Sequence, residues 1–423
     1  MVNDINRYLS IIFISLFAAY LSAQTLDTHT RIFDSAFRSL RAYVEGDYYA
    51  SPTILLHSDD RIVVEFDNIN PEREYLRYRV THCDALWQPS SLVESDYVDG
   101  FNEAEIYDYS FSMATFEQYV HYKVCLPNED MPLLLSGNYL LTIYPEGEPG
   151  QVLLQQRFSI VEKEVNLNVE VTSRTDIDYN ERHQQLAITV DADNYTIDNP
   201  YSDLKVVVTQ NDRHDNAAII NTPLRVSGRK IVFDHNKSLI FPAGNEYRRF
   251  EMTTTNYAGM GVDFFTYQHP YHHAVLRTDG IRAVGSYSFD QTQFGRFTVR
   301  ESDASDSDTQ ADYFVTHFSL VSTKLSGGEI YLDGEFTQHN FLPCYKMQYN
   351  DETKCYELDI PLKQGAYNYQ YLWLPTGMSE AHTSAIEGDY YQTANKYEIK
   401  AYYRCPGERY DRLIGYGIVY SGR

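Results

Sequence analysis

Tryptophan and cysteine are both scarce in this chain, with 2 Trp and 5 Cys among 423 residues. An odd number of widely spaced cysteines does not build the disulfide framework of a small secreted domain. We therefore expect these thiols to be mostly buried small apolar groups, and pairing of the first two stays open. The five are Cys83, Cys125, Cys344, Cys355 and Cys405.

Positive charge is also in short supply, because 35 Lys and Arg face 59 Asp and Glu, for a net charge of −24. Such a surface repels phosphate backbones and anionic lipid headgroups. No apolar run after residue 23 is long enough to span a bilayer. The sequence therefore predicts neither nucleic-acid binding nor direct membrane insertion.

Catalytic and ligand-binding motifs are missing: the chain has no P-loop, no G-x-S-x-G, no H-E-x-x-H and no C-x-x-C. The nearest acid–base pair is His82 and Asp84, which share one face of an extended strand. They are either an oriented acid–base pair or groups that satisfy the backbone at a strand end, and the second is favoured because no nucleophile is marked. We predict no catalytic residue, no cofactor and no metal.

An export signal is predicted for residues 1–23. Arg7 ends a short polar start, Leu9–Leu21 is an apolar run of 13 residues, and Ser22 and Ala23 are small. This run is shorter than the roughly 20 residues that a membrane-spanning helix needs. The mature chain is therefore expected to begin at Gln24.

Aromatic residues are abundant, with 38 Tyr and 21 Phe, and both favour strands. Short runs such as Tyr75–His82 alternate apolar and polar residues, with turn signals about every ten residues. The pattern predicts an all-β chain of three immunoglobulin-like or early-set β-sandwich domains in series. Their expected ranges are 24–160, 161–300 and 301–423.

Two similar segments, 137–139 and 365–367, each open an alternating strand with Gly-x-Tyr. A Tyr near the start of such a strand can bond back across the corner of a sandwich. We interpret Tyr139 and Tyr367 as structural for this reason. Trp87 and Tyr139 are expected to be buried anchors of the first sandwich.

The third domain could also bind sugar. Segments 330–336 and 362–371 resemble the glycogen-binding early-set sandwich of polysaccharide enzymes. Thr337 follows Phe336, where that family usually places a Trp. Trp373 is either a substitute stacking platform or a packed strand residue. The alternative function is therefore an exported carbohydrate-binding or polysaccharide-processing accessory protein.

Several stretches are informative when taken together and in order, from about residue 50 to the C-terminus. They include HCD at 82–84, WQPS at 87–90, SGNY at 136–139, QNDR at 210–213, GNEYR at 244–248, KQG at 363–365 and LIGY at 413–416. Their order and spacing resemble the plug protein family of the Bacteroidota type IX secretion system.

The resemblance implies a periplasmic, all-β, non-enzymatic protein associated with the outer membrane through protein contacts. It implies one partner, the SprA/Sov-type translocon barrel, whose periplasmic mouth the plug closes while no cargo carrier is docked. It brings no catalytic residues.

Exposed loops are the expected contact surface, because loops are free to specialise and because Tyr and Arg are favoured at interfaces. Three segments are candidates: 96–101, 213–217 and 409–416. The alternative for each is packing within its own domain. The candidate contact residues are Asp96, Tyr97, Asp99, Phe101, Arg213, His214, Arg409, Tyr410 and Arg412.

Cleavage after Ala23 can be checked by mass spectrometry of the exported protein, which should start at Gln24. Retention of Met1, or a lipid on the N-terminus, would contradict the predicted signal peptide.

Overall fold

The computed structural model describes residues 27–422, and the predicted signal peptide lies outside them. The first sandwich consists of two sheets, in the orders β1-β10-β9-β5-β6, with β3 on β10, and β2-β4-β8-β7. A four-residue helix, Glu94–Tyr97, follows β5. Its strands are β1 (Arg31–Ile32), β2 (Phe37–Val44), β3 (Thr53–Leu55), β4 (Ile62–Asn68), β5 (Leu76–Cys83), β6 (Ala104–Glu105), β7 (Asp108–Phe111), β8 (Val120–Leu126), β9 (Gly137–Pro145) and β10 (Leu154–Val161).

The middle sandwich contains the last two strands of the chain. Its sheets run β11-β12-β16-β15, with β17 on β12, and β14-β13-β28-β29. A 3-10 helix spans Lys237–Leu239. Its strands are β11 (Asn166–Thr172), β12 (His183–Asp191), β13 (Leu204–Gln210), β14 (Ala218–Ile220), β15 (Arg225–Ser227), β16 (Lys230–Phe233), β17 (Ile240–Pro242), β28 (Lys396–Tyr403) and β29 (Arg412–Tyr420).

The third sandwich lies between β17 and β28 in the chain. Its sheets run β18-β27-β22, with β24 on β27, and β19-β20-β23-β26-β25, with β21 on β23. Short helices span Ser307–Gln310, Glu335–Thr337 and Pro343–Tyr345. Its strands are β18 (Arg248–Glu251), β19 (Val262–Gln268), β20 (Tyr271–Leu276), β21 (Asp279–Gly280), β22 (Phe297–Val299), β23 (Tyr313–Val321), β24 (Gly328–Asp333), β25 (Gln348–Asn350), β26 (Cys355–Lys363) and β27 (Gly365–Pro375).

The all-β fold with sandwich sheets agrees with the prediction, but the strands are grouped differently from the predicted serial ranges. One core draws on residues 165–241 and again on 397–419, while another lies within 250–386. Strand β28 pairs along its whole length with β13, from Tyr403 opposite Leu204 to Tyr397 opposite Gln210. The third sandwich is therefore an insertion in the middle one, and no boundary falls near residue 300.

Both Gly-x-Tyr segments form the expected corner. The hydroxyl of Tyr139 donates to the carbonyl of Leu135 at 2.8 Å, and that of Tyr367 donates to the carbonyl of Lys363 at 2.5 Å. Each tyrosine is fully buried at the start of its strand. Gly137 has a φ of 133°, and a Cβ there would lie 2.5 Å from Nε2 of His82, so only glycine fits this turn.

The first and third sandwiches share a buried polar cluster, which we call the Asp67 cluster. The carboxylate of Asp67 accepts hydrogen bonds from Nζ of Lys363 at 2.6 Å, from the hydroxyl of Tyr313 at 2.6 Å and from Nδ1 of His121 at 2.8 Å. The side chains of Asp67 and Lys363 are each 1% exposed. A buried ion pair with its hydrogen bonds satisfied is strongly disrupted when one partner is removed.

Strand β4 explains why this contact forms. Ile62, Val64 and Phe66 point into the core of the first sandwich, and the residues between them point to its other face. That other face carries Glu65 and Asp67, yet it is buried because the third sandwich covers it.

No helix among residues 27–422 has the length and apolar character needed to cross a membrane.

Lys363→Met should destabilise the whole protein by about 3–5 kcal/mol, because it leaves the Asp67 carboxylate buried without its cation. Urea unfolding followed by fluorescence measures this loss. Lys324→Met is the matched control in the same sandwich, because Lys324 is exposed, and it should change the free energy of unfolding by less than about 0.5 kcal/mol. Equal effects of the two variants would contradict the assigned role of the cluster.

The same cluster predicts acid sensitivity. Burial raises the pKa of Asp67, but the charge of Lys363 and the hydrogen bond from His121 outweigh it and lower the pKa to about 2. A carboxyl whose pKa is lower in the folded state contributes stability at higher pH, and that contribution is lost as the pH falls from about 4 towards 2. The difference in unfolding midpoint between wild type and Asp67→Asn should shrink over this range. The exposed Asp59→Asn should differ little from wild type at every pH.

Candidate functional site

His82 and Asp84 do not form an acid–base pair. Nε2 of His82 lies 3.0 Å from the carbonyl of Ser136, and burial lowers the pKa of this histidine. Oδ1 of Asp84 accepts from the backbone N–H groups of Leu86 at 2.8 Å and Gln88 at 2.9 Å. Both side chains therefore satisfy backbone groups where β5 ends, as the favoured interpretation predicts.

The prediction for Trp87 is wrong. It sits in the tight turn that Asp84 closes, with a φ of 64°, and its ring is only half-buried. The turn directs the ring away from the first core and into a cavity between sandwiches, where the guanidinium carbon of Arg157 lies 4.4 Å from the ring centroid. The alternating pattern of β5 does not predict that the turn after it directs the Trp87 ring away from the first core.

Two of the three predicted contact loops meet at one edge of the molecule. Nη2 of Arg409 donates to Oδ2 of Asp96 at 2.5 Å, and the hydroxyl of Ser91 donates to the carbonyl of Arg409 at 3.3 Å. On the same loop, Phe101 is 87% exposed and Asp99 is exposed. We call Asp96, Asp99, Phe101 and Arg409 the loop edge.

Three residues proposed for contact are engaged with other elements of the molecule instead. Tyr97 is 5% exposed and belongs to the first core. The ring of Tyr410 is half-buried, with its centroid 5.5 Å from that of His82. Nη2 of Arg412 lies 2.5 Å from Oε2 of Glu162, so this ion pair joins β29 to the segment after β10. Their positions fit packing between elements better than an open surface.

The segment at 213–217 lies apart from the loop edge, and its arginine is not at the surface. Arg213 is 5% exposed, donates to both carboxylate oxygens of Asp215 at 3.0 and 2.6 Å, and donates to the carbonyl of Ala381 at 2.8 Å. The neighbouring acid neutralises the guanidinium and so allows its burial. His214 is exposed, but towards the cavity between sandwiches.

Trp373 is a packed strand residue rather than a sugar platform. It packs partly buried against the third core, pairs across a bridge with His382, and has its indole nitrogen buried. The backbone at Gly328 approaches so closely that a Cβ there would lie 2.7 Å from that nitrogen.

All five cysteines are free, Cys83 and Cys125 do not pair, and Cys344 is exposed, contrary to the expected burial.

One group of possible metal ligands exists among residues 27–422: Glu65, His121 and Asp308, with ligand atoms within 4.8 Å of one another. Arg41 lies among them, with Nη2 at 2.6 Å from Glu65 and 2.5 Å from Asp308. The guanidinium therefore already supplies the positive charge that this acidic group needs.

One concave site was not predicted from the sequence. A cavity of about 370 Å³ lies where the three sandwiches meet, and we call it the junction cavity. Residues around 40–53 and 156–159 come from the first sandwich, 207–219 and 398–402 from the middle one, and 335–339 from the third. Only the packing of strands that are distant in sequence brings these wall segments together. The basic residue Arg157 inside a buried strand was the one local signal.

Comparisons with known proteins agree with this architecture. Residues 37–162, which cover most of the first sandwich, match the family model described as the type 9 secretion system plug protein 1st domain. No curated protein matches the chain.

Among solved structures, the crystal structure of a hypothetical protein from Parabacteroides merdae at 2.30 Å resolution is similar over 94% of this chain and 100% of that one, with 41% identity and a TM-score of 0.92. Alpha-2-macroglobulin from E. coli gives 10% identity and a TM-score of 0.18 over 95% of this chain and 23% of that one. A TM-score this low does not indicate a shared fold.

The first sandwich matches the first domain of this family, and 94% of the chain shares its fold with a protein 41% identical to it. Through this first domain the chain resembles the type 9 secretion system plug protein family.

Proposed function

We propose that the protein is a non-enzymatic plug that seals the outer-membrane translocon of the type 9 secretion system while no cargo carrier is docked. The match of residues 37–162 to the first domain of plug proteins carries this proposal. The proposed partner is a SprA/Sov-type barrel, and the proposed location is the periplasm, at the outer membrane, after removal of residues 1–23.

A pore wide enough for folded cargo leaks unless something bulky and stiff closes it, and the structure has features that suit this task. A buried ion pair joins the first sandwich to the third at Asp67 with Lys363, and the buried Arg41 also pairs with the partly exposed Asp308 of the third sandwich. The pair between Arg412 and Glu162 joins the first sandwich to the middle one. Because these contacts are mostly buried, the three sandwiches resist moving relative to one another.

The loop edge is the proposed contact with the barrel. Three of its four residues lie on the first sandwich, which matches the first domain of plug proteins, and Phe101 projects from it almost fully exposed beside the Asp96–Arg409 ion pair. An exposed aromatic ring within a polar rim is typical of the centre of a protein interface. Asp96 and Arg409 fix the loop that presents the ring.

A polysaccharide role is not favoured, because its one candidate platform, Trp373, is packed against the third core.

Affinity purification tests the plug directly. A C-terminally tagged chain, recovered from detergent-solubilised envelopes of its native host, should bring down a very large outer-membrane barrel in a complex without the cargo carrier. Deleting the gene should make the envelope permeable to large solutes while leaving some secretion intact. Recovery of only glycan-processing proteins, with no change in permeability, would refute the plug.

The contact surface is tested with a matched pair of variants. Phe101→Asp should reduce recovery of the barrel at least about tenfold, because it places a charge at the proposed interface centre. Val284→Asp is the control, since Val284 is 91% exposed but lies outside the family domain, and it should leave recovery unchanged. Loss with both variants, or with neither, would exclude the loop edge as the contact while leaving the plug itself to the deletion test.

A further inference from the structure

The junction cavity has the size and walls of a small-molecule site. Its volume of about 370 Å³ falls within the range of roughly 300–1,000 Å³ that ligand pockets occupy. Much of its wall is apolar and comes from two sandwiches. Among the apolar wall residues are Leu40, Pro52, Phe158, Val207 and Ile219.

Arg157 is the one buried arginine in this wall without a carboxylate partner among residues 27–422. It is 7% exposed, its Nε donates to the carbonyl of Thr28 at 2.6 Å, and its guanidinium lies over the ring of Trp87. Nη1 and Nη2 have no hydrogen-bond partner within that range. Two donors of a buried cation are therefore free at the cavity.

Other buried arginines in the molecule are paired. Arg41 contacts Glu65 at 2.6 Å, and Arg213 contacts Asp215 at 2.6 Å. Arg248 contacts Glu387 at 3.0 Å. Removing a guanidinium from water costs several kcal/mol, and these carboxylates offset that cost. Burial lowers the pKa of Arg157 to about 10, because the charge of Asp27, which forms no ion pair with it, does not offset the burial.

The acidic groups around the cavity are already engaged. Asp212 pairs with Lys396 at 2.6 Å, and Glu398 pairs with Lys400 at 2.9 Å. Glu335 accepts from the backbone N–H of Phe297 at 3.2 Å.

The remaining cationic groups add no second free charge. Arg41 has its two carboxylates, and Arg296 lies 3.7 Å from Asp212 and donates to the carbonyl of Ala50 at 3.2 Å. His339 pairs with Asp333 at 2.9 Å. The cavity walls around His214, and then the charge of Arg157, hold the pKa of this histidine well below its usual value, so it stays neutral.

We infer that the junction cavity binds a small monoanion made of one carboxylate and a short apolar body. Nη1 and Nη2 of Arg157 match the two oxygens of a carboxylate, and the apolar wall packs against the body. A single free guanidinium, in a chain with a net charge of −24, disfavours a multiply charged phosphate. A free fatty acid and the C-terminal residues of a peptide share this chemistry. The site does not depend on the proposed plugging role.

Isothermal titration calorimetry on the purified mature protein tests the site with defined probes. Sodium octanoate represents the fatty acid, and N-acetyl-Leu-Leu with a free carboxylate represents the peptide. Octanol, the peptide amide and inorganic phosphate are the controls without the required group. Saturable binding of octanoate or of the free peptide, at least about tenfold tighter than that of the uncharged analogues, is expected, and the tighter of the two identifies the source.

Arg157→Met should weaken binding of the better carboxylate at least about tenfold. Arg61→Met is the matched control in the same sandwich, because Arg61 is exposed and pairs with Glu45, and it should bind as wild type does. If Arg157→Met does not fold, the comparison of each carboxylate with its uncharged analogue on wild type decides alone. Absence of saturable carboxylate binding, equal binding of the analogues, tighter binding of phosphate, or unchanged binding by folded Arg157→Met would overturn the site.

Discussion

The carboxylate of Asp67 is buried under a second sandwich, and this one group constrains much of the architecture. A carboxylate removed from water needs a cation and several donors, and here Lys363, Tyr313 and His121 supply them. Two of these residues come from the third sandwich and one from the first. The two bodies therefore cannot separate or slide without leaving a bare buried charge, and β4 becomes an interior strand on both faces.

The same logic explains the junction cavity. Polar contacts join the three sandwiches around the junction cavity, among them Lys396 with Ser51 and Lys400 with Ser159, each at 3.0 Å. Hydrogen bonds impose distances and directions, so these contacts hold the sandwiches at a fixed spacing around the cavity. A cavity with defined walls is the outcome, and Arg157 is fixed in it by Thr28 and Trp87.

Local sequence patterns were sufficient where a short segment determines its own geometry. The corner at Tyr139 needs only a glycine and, two residues later, a tyrosine at the start of a strand. The Gly-x-Tyr pattern was therefore enough to predict it. The hydrogen bonds from backbone N–H groups to Asp84 were predicted because Asp84 lies where strand β5 ends. The all-β fold followed from alternation and aromatic content.

Sequence reasoning failed where geometry depends on residues far apart. Asp96 and Arg409 belong to two loops that were singled out separately, and nothing local indicated that they pair. Arg213 was expected in an exposed contact loop, although Asp215 two residues away makes its burial possible. The orientation of Trp87 depends on a left-handed turn, and the junction cavity depends on three domains at once. The serial domain order failed because the partner of β13 is β28, almost two hundred residues later.

The insertion of the third sandwich has a consequence for how the chain acquires its structure. The sheet that contains β13 has only the short β14 beside it until β28 and β29 arrive, so one long edge stays unpaired while the chain is incomplete. Open strand edges promote aggregation, and pairings distant in sequence form slowly. The first sandwich lies wholly N-terminal to β13 and has its own core, so it does not depend on these late strands. The domain that identifies the family can thus mature early, whereas the middle sandwich is the step most exposed to chaperones and proteases.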